Sequence, residues 1–205
     1  MKQDIQKLLD AEAEAIQNIP LDDSFEKALT LIHRSVHLNG GKVIISGMGK
    51  AGQIATNIST TLSSTGTPAV FIHPSDAQHG DLGVIQNNDI LLVVSNSGKT
   101  REIIELVGLA RNLVPAIPVI LITGNPENEL SNLADVTIYT GNPPEVCPLG
   151  LTPTTSTTVM TVIGDILVVM MMKKIDFKAE DYAKRHHGGY LGYRSRIGAT
   201  NNRNI

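Results

Sequence analysis

The sequence predicts an α/β fold: a three-layer sandwich in which a five-stranded parallel sheet, ordered 2-1-3-4-5, lies between helices. Two observations predict it. From residue 42 onward, β-rich runs alternate with helical stretches: KVIIS (42–46), AVFI (69–72), ILLVVS (90–95), PVILIT (118–123) and VTIYT (136–140). The runs are also nearly continuous in Val, Ile and Leu, as strands covered on both faces are.

Each element has its own signal. Residues 2–19 place Ile5, Leu8, Leu9, Ala13, Ile16 and Ile19 at helical spacing. Asp22 and Asp23 stand where an N-cap belongs, ahead of a second amphipathic stretch with Phe25, Leu29, Ile32 and Val36. These opening helices, residues 1–40, need a surface for their apolar stripes, either their own sheet or a neighbouring subunit. Between the strands, residues 51–64, 100–113 and 128–134 read as helices closed by polar or Pro/Gly punctuation. After the fifth strand comes a loop, a long helix over 157–174, and a tail expected to fray over 194–205. No repeat or low-complexity linker divides the chain, so one domain over 1–205 is expected.

Composition narrows the function classes. A net charge of −3 gives no basic face for nucleic acid or anionic lipid, and 3% aromatic residues give little base-stacking surface. The longest unbroken apolar run, residues 166–172, is too short for a membrane span. The single Cys147 excludes an internal disulfide framework and fits a reducing compartment. The N-terminus is polar and acidic, without a signal-peptide apolar stretch, so the expected location is cytoplasmic.

In an open parallel sheet, ligands bind beyond the carboxyl ends of the strands where strand order reverses, here between strands 1 and 3. Both are followed by glycine-bearing polar loops. The first, Ser46-Gly47-Met48-Gly49-Lys50-Ala51-Gly52, has G-x-G-x-x-G spacing. A dinucleotide site would need an acidic residue closing strand 2, yet that strand ends in Ile72-His73-Pro74. A packed βα turn and a small phosphorylated ligand are the other readings of this loop. The second, Ser95-Asn96-Ser97-Gly98-Lys99-Thr100-Arg101-Glu102, supplies three hydroxyls, a glycine and a helix start. It reads as a phosphate cradle without Walker spacing, or as a turn capped by Thr100. Glu102, in the first turn beyond that loop, suits the helix dipole as an acid steadying the helix start.

S-N-S-G-x-T-x-E after a buried strand resembles the hallmark of sugar-isomerase (SIS) domains. The further stretches G-M-G-K-A-G, S-T-G-T-P, H-P-x-x-A-x-H-G-D-L-G, E-V-C-P-L, T-P-T-T-S-T-T and D-Y-A-K-R-H-H-G-G-Y-L-G resemble the arabinose-5-phosphate isomerase branch of that family. The resemblance covers about residues 5–193. It departs at His187, where a proline is common, and in the absence of the pair of CBS domains that usually follows.

The resemblance implies interconversion of D-ribulose 5-phosphate and D-arabinose 5-phosphate by enediol proton transfer, the first step toward Kdo and lipopolysaccharide, with no cofactor and no metal. It implies that Ser46, Gly47, Gly49, Ser95, Asn96, Ser97 and Thr100 hold the sugar phosphate. Lys50 would steady phosphate or oxyanion, and Glu102, Glu145, His79 and His186 are the candidates for hydroxyl contacts, ring opening and proton transfer. It also implies a homotetramer whose pockets borrow residues between chains. Without CBS domains, feedback by CMP-Kdo would act at the SIS pocket itself. His79, Glu145, Cys147 and His186 are acceptable zinc ligands without a known spacing, so zinc is expected only as an adventitious inhibitor. The rival readings are a 6-phospho-3-hexuloisomerase on the same scaffold and a non-catalytic sugar-phosphate sensor. The acidic opening helices, lacking a basic recognition helix, disfavour the sensor.

Overall fold

The computed structural model describes residues 1–201, with side chains described through Ser195. Five parallel strands, β1 (Val43–Gly47), β2 (Ala69–Phe71), β3 (Ile90–Val94), β4 (Val119–Thr123) and β5 (Val136–Tyr139), form one sheet in the order β2-β1-β3-β4-β5. The expected fold class and strand order are both observed. Side chains alternate along each strand, so one sheet supplies two cores. Val43, Ile45, Leu92, Val94, Ile120, Ile122 and Ile138 face one layer of helices. Ile44, Leu91, Val93, Val119 and Leu121 face the other. β1, β3 and β4 are buried at every position, which accounts for the unbroken aliphatic runs.

The first helical layer holds α1 (Lys2–Gln17), α2 (Ser24–Ile32), α3 (Gly49–Ser64) and α7 (Thr155–Lys174); the second holds α4 (Pro74–Ala77), α5 (Arg101–Leu113) and α6 (Glu129–Leu133). The opening helices therefore find a surface on their own domain. Ala15 and Ile19 at the end of the first, and Ala28, Leu29 and Ile32 in the second, are buried in the shared core. Ile5, Leu8 and Leu9 on the first two turns of α1 stay exposed. α2 continues into a π-helical turn, His33–Leu38, where the His33 and His37 rings stack at 5.7 Å.

By length and composition α7 is apolar enough to cross a bilayer, with a mean hydropathy of 1.6, but half of that window is buried inside the fold. Its apolarity belongs to the core: Val159, Met160, Ile163, Leu167 and Met171 are buried with the residues of α3 and the sheet.

Three features go beyond what the sequence predicts. α7 begins at Thr155, two residues before the expected 157. The tail contains a helical hairpin, α8 (Ala179–Arg185) and α9 (Gly189–Asn201), so helical backbone enters the segment expected to fray. Residues 202–205 lie outside the described residues. A half-buried ion pair also locks the start of the sheet: Asp89, 1% exposed, accepts from the Lys42 ammonium at 2.7 Å, the Lys42 N–H at 2.9 Å and the Gln86 N–H at 2.8 Å. It ties the residue before β1 to the turn before β3 and so supports their register.

Candidate active site

The parallel register Gly47↔Val94 sets the loop after β1 beside the loop after β3 at the carboxyl edge of the sheet. In the first loop, Gly47 and Gly52 approach so closely that a Cβ on Gly52 would stand 2.6 Å from the Gly47 carbonyl oxygen. Their spacing is therefore used for strand–helix packing. Gly49 takes a left-handed φ of +59° and Lys50 follows it, exposed, in the first turn of α3. Ser46 is placed differently from the phosphate ligand that was expected. It is fully buried and its hydroxyl donates to the Ile72 carbonyl at 2.8 Å, so its hydrogen serves the β1–β2 edge.

The second loop has the geometry of a cradle. Thr100 flanks α5 but makes no side-chain cap; its hydroxyl lies 3.0 Å from that of Ser95 instead. The capped-turn reading of Thr100 thus fails. One of those two hydroxyls donates to the other, and the acceptor of the pair keeps its own hydrogen for another partner. The Ser97 oxygen accepts from the Lys99 N–H at 3.2 Å, so its hydrogen also remains available. Two O–H donors thus stand at the N-terminus of a helix, where the dipole favours an anion.

Gly98 makes this turn possible. Its φ is +65°, and a Cβ there would lie 2.1 Å from Cγ of Asn128, a buried side chain fixed by hydrogen bonds to Asn125, Ser131 Oγ and the Ser131 N–H. Gly98→Ala is expected to destabilise the fold by about 2–4 kcal/mol, combining the left-handed penalty with overpacking. Urea unfolding checks this; a loss of less than about 0.5 kcal/mol would mean that the turn relaxes freely.

The neighbouring strands complete the floor. The Asn96 carbonyl accepts from the Gly124 N–H at 3.0 Å and from the Thr123 hydroxyl at 3.2 Å, which ties the cradle to the end of β4. Asn96 Oδ1 is buried with no hydrogen-bond partner among the described residues, an acceptor without its donor. Thr123 and Gly124 had no motif to mark them, because their role depends on β3 and β4 being neighbours.

After β5 the chain turns through Gly141 and Asn142, at φ +85° and +48°, into Pro143-Pro144-Glu145. A cavity of about 510 Å³ lies between this segment (140–146) and Ala11, Glu14 and Ala15 of α1 with Asn18 just beyond it. Glu145 is anchored at its edge. Its Oε2 accepts from the Thr154 N–H at 2.6 Å, the Thr154 hydroxyl at 2.9 Å and the Ser156 N–H at 3.3 Å. Burial pushes the carboxyl up, but the hydrogen bonds of Ser156 and Thr154 outweigh it and hold it below its ordinary value. A carboxylate fits there, since the N-terminus of α7 favours negative charge.

Cys147, two residues on, is pulled down to about 6 by hydrogen bonds from the Thr152 hydroxyl and from the N–H groups of Thr152, Leu149 and Leu151. Its alkylation rate by iodoacetamide is expected to rise through a midpoint near pH 6, and Thr152→Val should move that midpoint upward. A midpoint above about 8 in the native chain would contradict the loop geometry.

The remaining expected residues are more scattered. Glu102 is half-buried in the first turn of α5, directly beyond the cradle. His79 is exposed in the loop after α4. His186 ends α8, with its ring stacked on Tyr182 at 3.6 Å and Nδ1 3.0 Å from the Tyr182 carbonyl oxygen. Because a carbonyl only accepts, Nδ1 carries the hydrogen and the neutral ring presents Nε2 as a bare base. Ser95, Asn96, Ser97, Thr100 and Glu102 lie together on the second loop and the start of α5, whereas α8 packs chiefly on α9 and the described contacts of His186 are with Tyr182 in the tail. Among the described residues no three His, Cys, Asp or Glu side chains converge as a metal site.

Residues 38–170 match the family model of the SIS domain. The arabinose 5-phosphate isomerase KdsD of Pseudomonas aeruginosa is 43% identical over 192 residues, covering 92% of this chain and 57% of that protein. KdsD of Escherichia coli K12 is 43% identical over 172 residues, covering 84% and 52%. The chain thus spans a little over half the length of the curated relatives it matches. Among solved structures, a Bacteroides fragilis protein described as a candidate phosphosugar isomerase involved in capsule formation superposes with a TM-score of 0.91 at 62% identity, covering 93% of this chain and 99% of that one. An E. coli CFT073 protein in complex with arabinose 5-phosphate superposes with a TM-score of 0.82 at 30% identity, covering 89% and 95%. With its sheet order, its hydroxyl-lined turn after β3 and these matches, the chain belongs to the SIS domain family.

Proposed function

We propose that the chain is an aldose–ketose isomerase interconverting D-ribulose 5-phosphate and D-arabinose 5-phosphate. The observation that carries this reading is the Ser95–Thr100 turn at the N-terminus of α5, with hydroxyl hydrogens left to donate. Its likeness to the KdsD enzymes and to the protein solved with arabinose 5-phosphate supports the choice of substrate.

The phosphate sits at this turn and fixes the sugar at its unreactive end, so that binding energy positions the reacting carbons. From arabinose 5-phosphate, a base removes the C2 proton while O1 gains one, giving the enediol. O2 then releases its proton and C1 takes one, giving the ketose with no net change in atoms or electrons. Glu145 and the bare Nε2 of His186 are the proton carriers of this reading, with His79 assisting ring opening. Lys50, in the first turn of α3, stabilises the negative oxygen of the intermediate, and Glu102 receives a sugar hydroxyl. Because His186 lies apart from the cradle within one chain, it serves a neighbouring chain's site in a cytoplasmic homotetramer. CMP-Kdo, the activated end product, acts as a feedback ligand at the same pocket.

The test is to give the purified chain ribulose 5-phosphate with EDTA and follow arabinose 5-phosphate by NMR, with fructose 6-phosphate in parallel. Pentose turnover supports the proposal. Turnover of the hexose alone transfers the chain to the hexulose branch, and silence on both leaves a sensor.

A further inference from the structure

The N-terminus of α7, with Thr154 just before it, holds two consecutive residues of the loop after β5. Thr154 and Ser156 hold the Glu145 carboxylate through the three hydrogen bonds to Oε2. Thr155, between them and 1% exposed, holds the next residue: the Val146 N–H donates to Thr155 Oγ1 at 3.1 Å. With that oxygen accepting, its own hydrogen goes to Glu12 Oε1 on α1, 3.0 Å away. The direction of the chain follows from its first donor: the Val146 N–H only donates, which leaves the Thr155 hydrogen for the Glu12 carboxyl oxygen. It runs from the Val146 N–H through the Thr155 hydroxyl to the Glu12 carboxylate.

Glu12 is an unusual residue for a helix that merely covers a core. Its other oxygen, Oε2, is buried without a hydrogen-bond partner among the described residues. Burying a carboxylate oxygen unpaired is unfavourable, and Ala or Leu at this position would pack α1 on α7 without that penalty. The half-satisfied carboxylate does one thing an apolar side chain cannot: it orients the Thr155 hydroxyl so that its lone pair faces the Val146 N–H.

We infer that Glu12 is a positioning residue for Glu145, acting through Thr155 on the peptide that follows it. The inference rests on the isomerase reading of Glu145. Glu12 touches no substrate. It fixes the loop at Val146, one residue beyond the Thr154 and Ser156 contacts, so that the Glu145 carboxylate and the peptide after it are both held. A base must meet its proton within hydrogen-bond reach, and a small displacement of a reacting group costs rate rather than affinity.

The experiment compares the wild-type chain with Glu12→Ala, Glu12→Gln, Thr155→Val, Glu12→Ala/Thr155→Val and, as a surface control on the same helix, Lys7→Ala. Steady-state kinetics on ribulose 5-phosphate, Tm and hydrogen exchange at the Val146 amide are read together. Glu12→Ala and Thr155→Val should each lower kcat about tenfold with KM within about twofold. The double variant should be no worse than the worse single, since both break one chain of contacts. Glu12→Gln, which keeps an acceptor for Thr155, should recover kcat to within about threefold, and exchange at Val146 should accelerate about tenfold in Glu12→Ala. Lys7→Ala should match wild type in every readout.

Unchanged kcat and unchanged Val146 exchange in Glu12→Ala would overturn the inference. So would a loss of activity that follows Tm and is not recovered by Gln, which would make Glu12 a packing residue. A wild-type chain inactive on the pentose would remove the isomerase reading and this inference with it, and the exchange data would still report whether the contact chain exists.

Discussion

Glu145→Gln is expected to keep the fold and to lower turnover of ribulose 5-phosphate by on the order of 100- to 10 000-fold, the range that a positioned proton carrier contributes. The geometry makes this substitution informative. All the hydrogen bonds described for the carboxylate fall on Oε2, from Thr154 N–H, Thr154 Oγ1–H and Ser156 N–H. A Gln carbonyl oxygen accepts the same three, so the start of α7 keeps its partner while the charge and the capacity to take a proton disappear. Circular dichroism should be unchanged as kcat falls. In the wild-type chain the carboxyl is held below its ordinary 4.5, so it is ionised and ready as a base throughout the neutral range. The part of the acid limb of kcat/KM that belongs to Glu145 should accordingly lie below pH 4.5, its contribution being lost as pH falls through the lowered value. A rate close to wild type in Glu145→Gln removes the residue from the mechanism.

His186→Ala is expected to produce a loss of similar order, and its companion experiment is mixing. The ring's Nδ1–H is engaged by the Tyr182 carbonyl, and the stack on Tyr182 fixes the plane, so Nε2 is presented in one direction. If that direction is toward a neighbouring chain's cradle, co-expressed Glu145→Gln and His186→Ala subunits should regain activity. At random assortment about one site in four pairs an intact Glu145 with an intact His186 from the adjacent chain. Recovery to that level supports sharing between chains. No recovery, with oligomers confirmed mixed, places both residues in one chain's site.

Much of this architecture is legible in the sequence because parallel strands buried on both faces cannot alternate polar and apolar residues; VIIS, ILLVV and VILIT have no other comfortable place. The Ser95–Thr100 turn is legible because its hydroxyls and glycine lie together along the chain. What is hidden depends on contacts across the fold. Thr100 looks like a helix cap until Ser95 is seen to occupy its hydroxyl. Ser46 looks equivalent to Ser95 until Ile72, the residue after β2, supplies its carbonyl.

The run TPTTSTT reads as loop because short hydroxyl side chains compete with the helix backbone, yet Glu145 and Glu12 accept from Thr154 and Thr155, and α7 starts early. In the tail, Gly188, Gly189 and Gly192 mask two helices that form mainly against each other. Thr123, Gly124 and Thr154 reach the candidate site only through neighbours distant in the chain, and no local motif marks them.

The order β2-β1-β3 also has a consequence for how the molecule is made. β1 is the first of the five strands to leave the ribosome, yet its enclosure waits for the third. β2 covers one of its edges, and the other stays open until Ile90–Val94 arrives. Through that interval a wholly buried-type strand presents unpaired N–H and C=O groups, the arrangement that recruits foreign strands and seeds aggregates. The same docking event that closes this edge brings the loops after β1 and β3 side by side. The nascent chain therefore loses its exposed edge and brings its two glycine-bearing loops together in a single step.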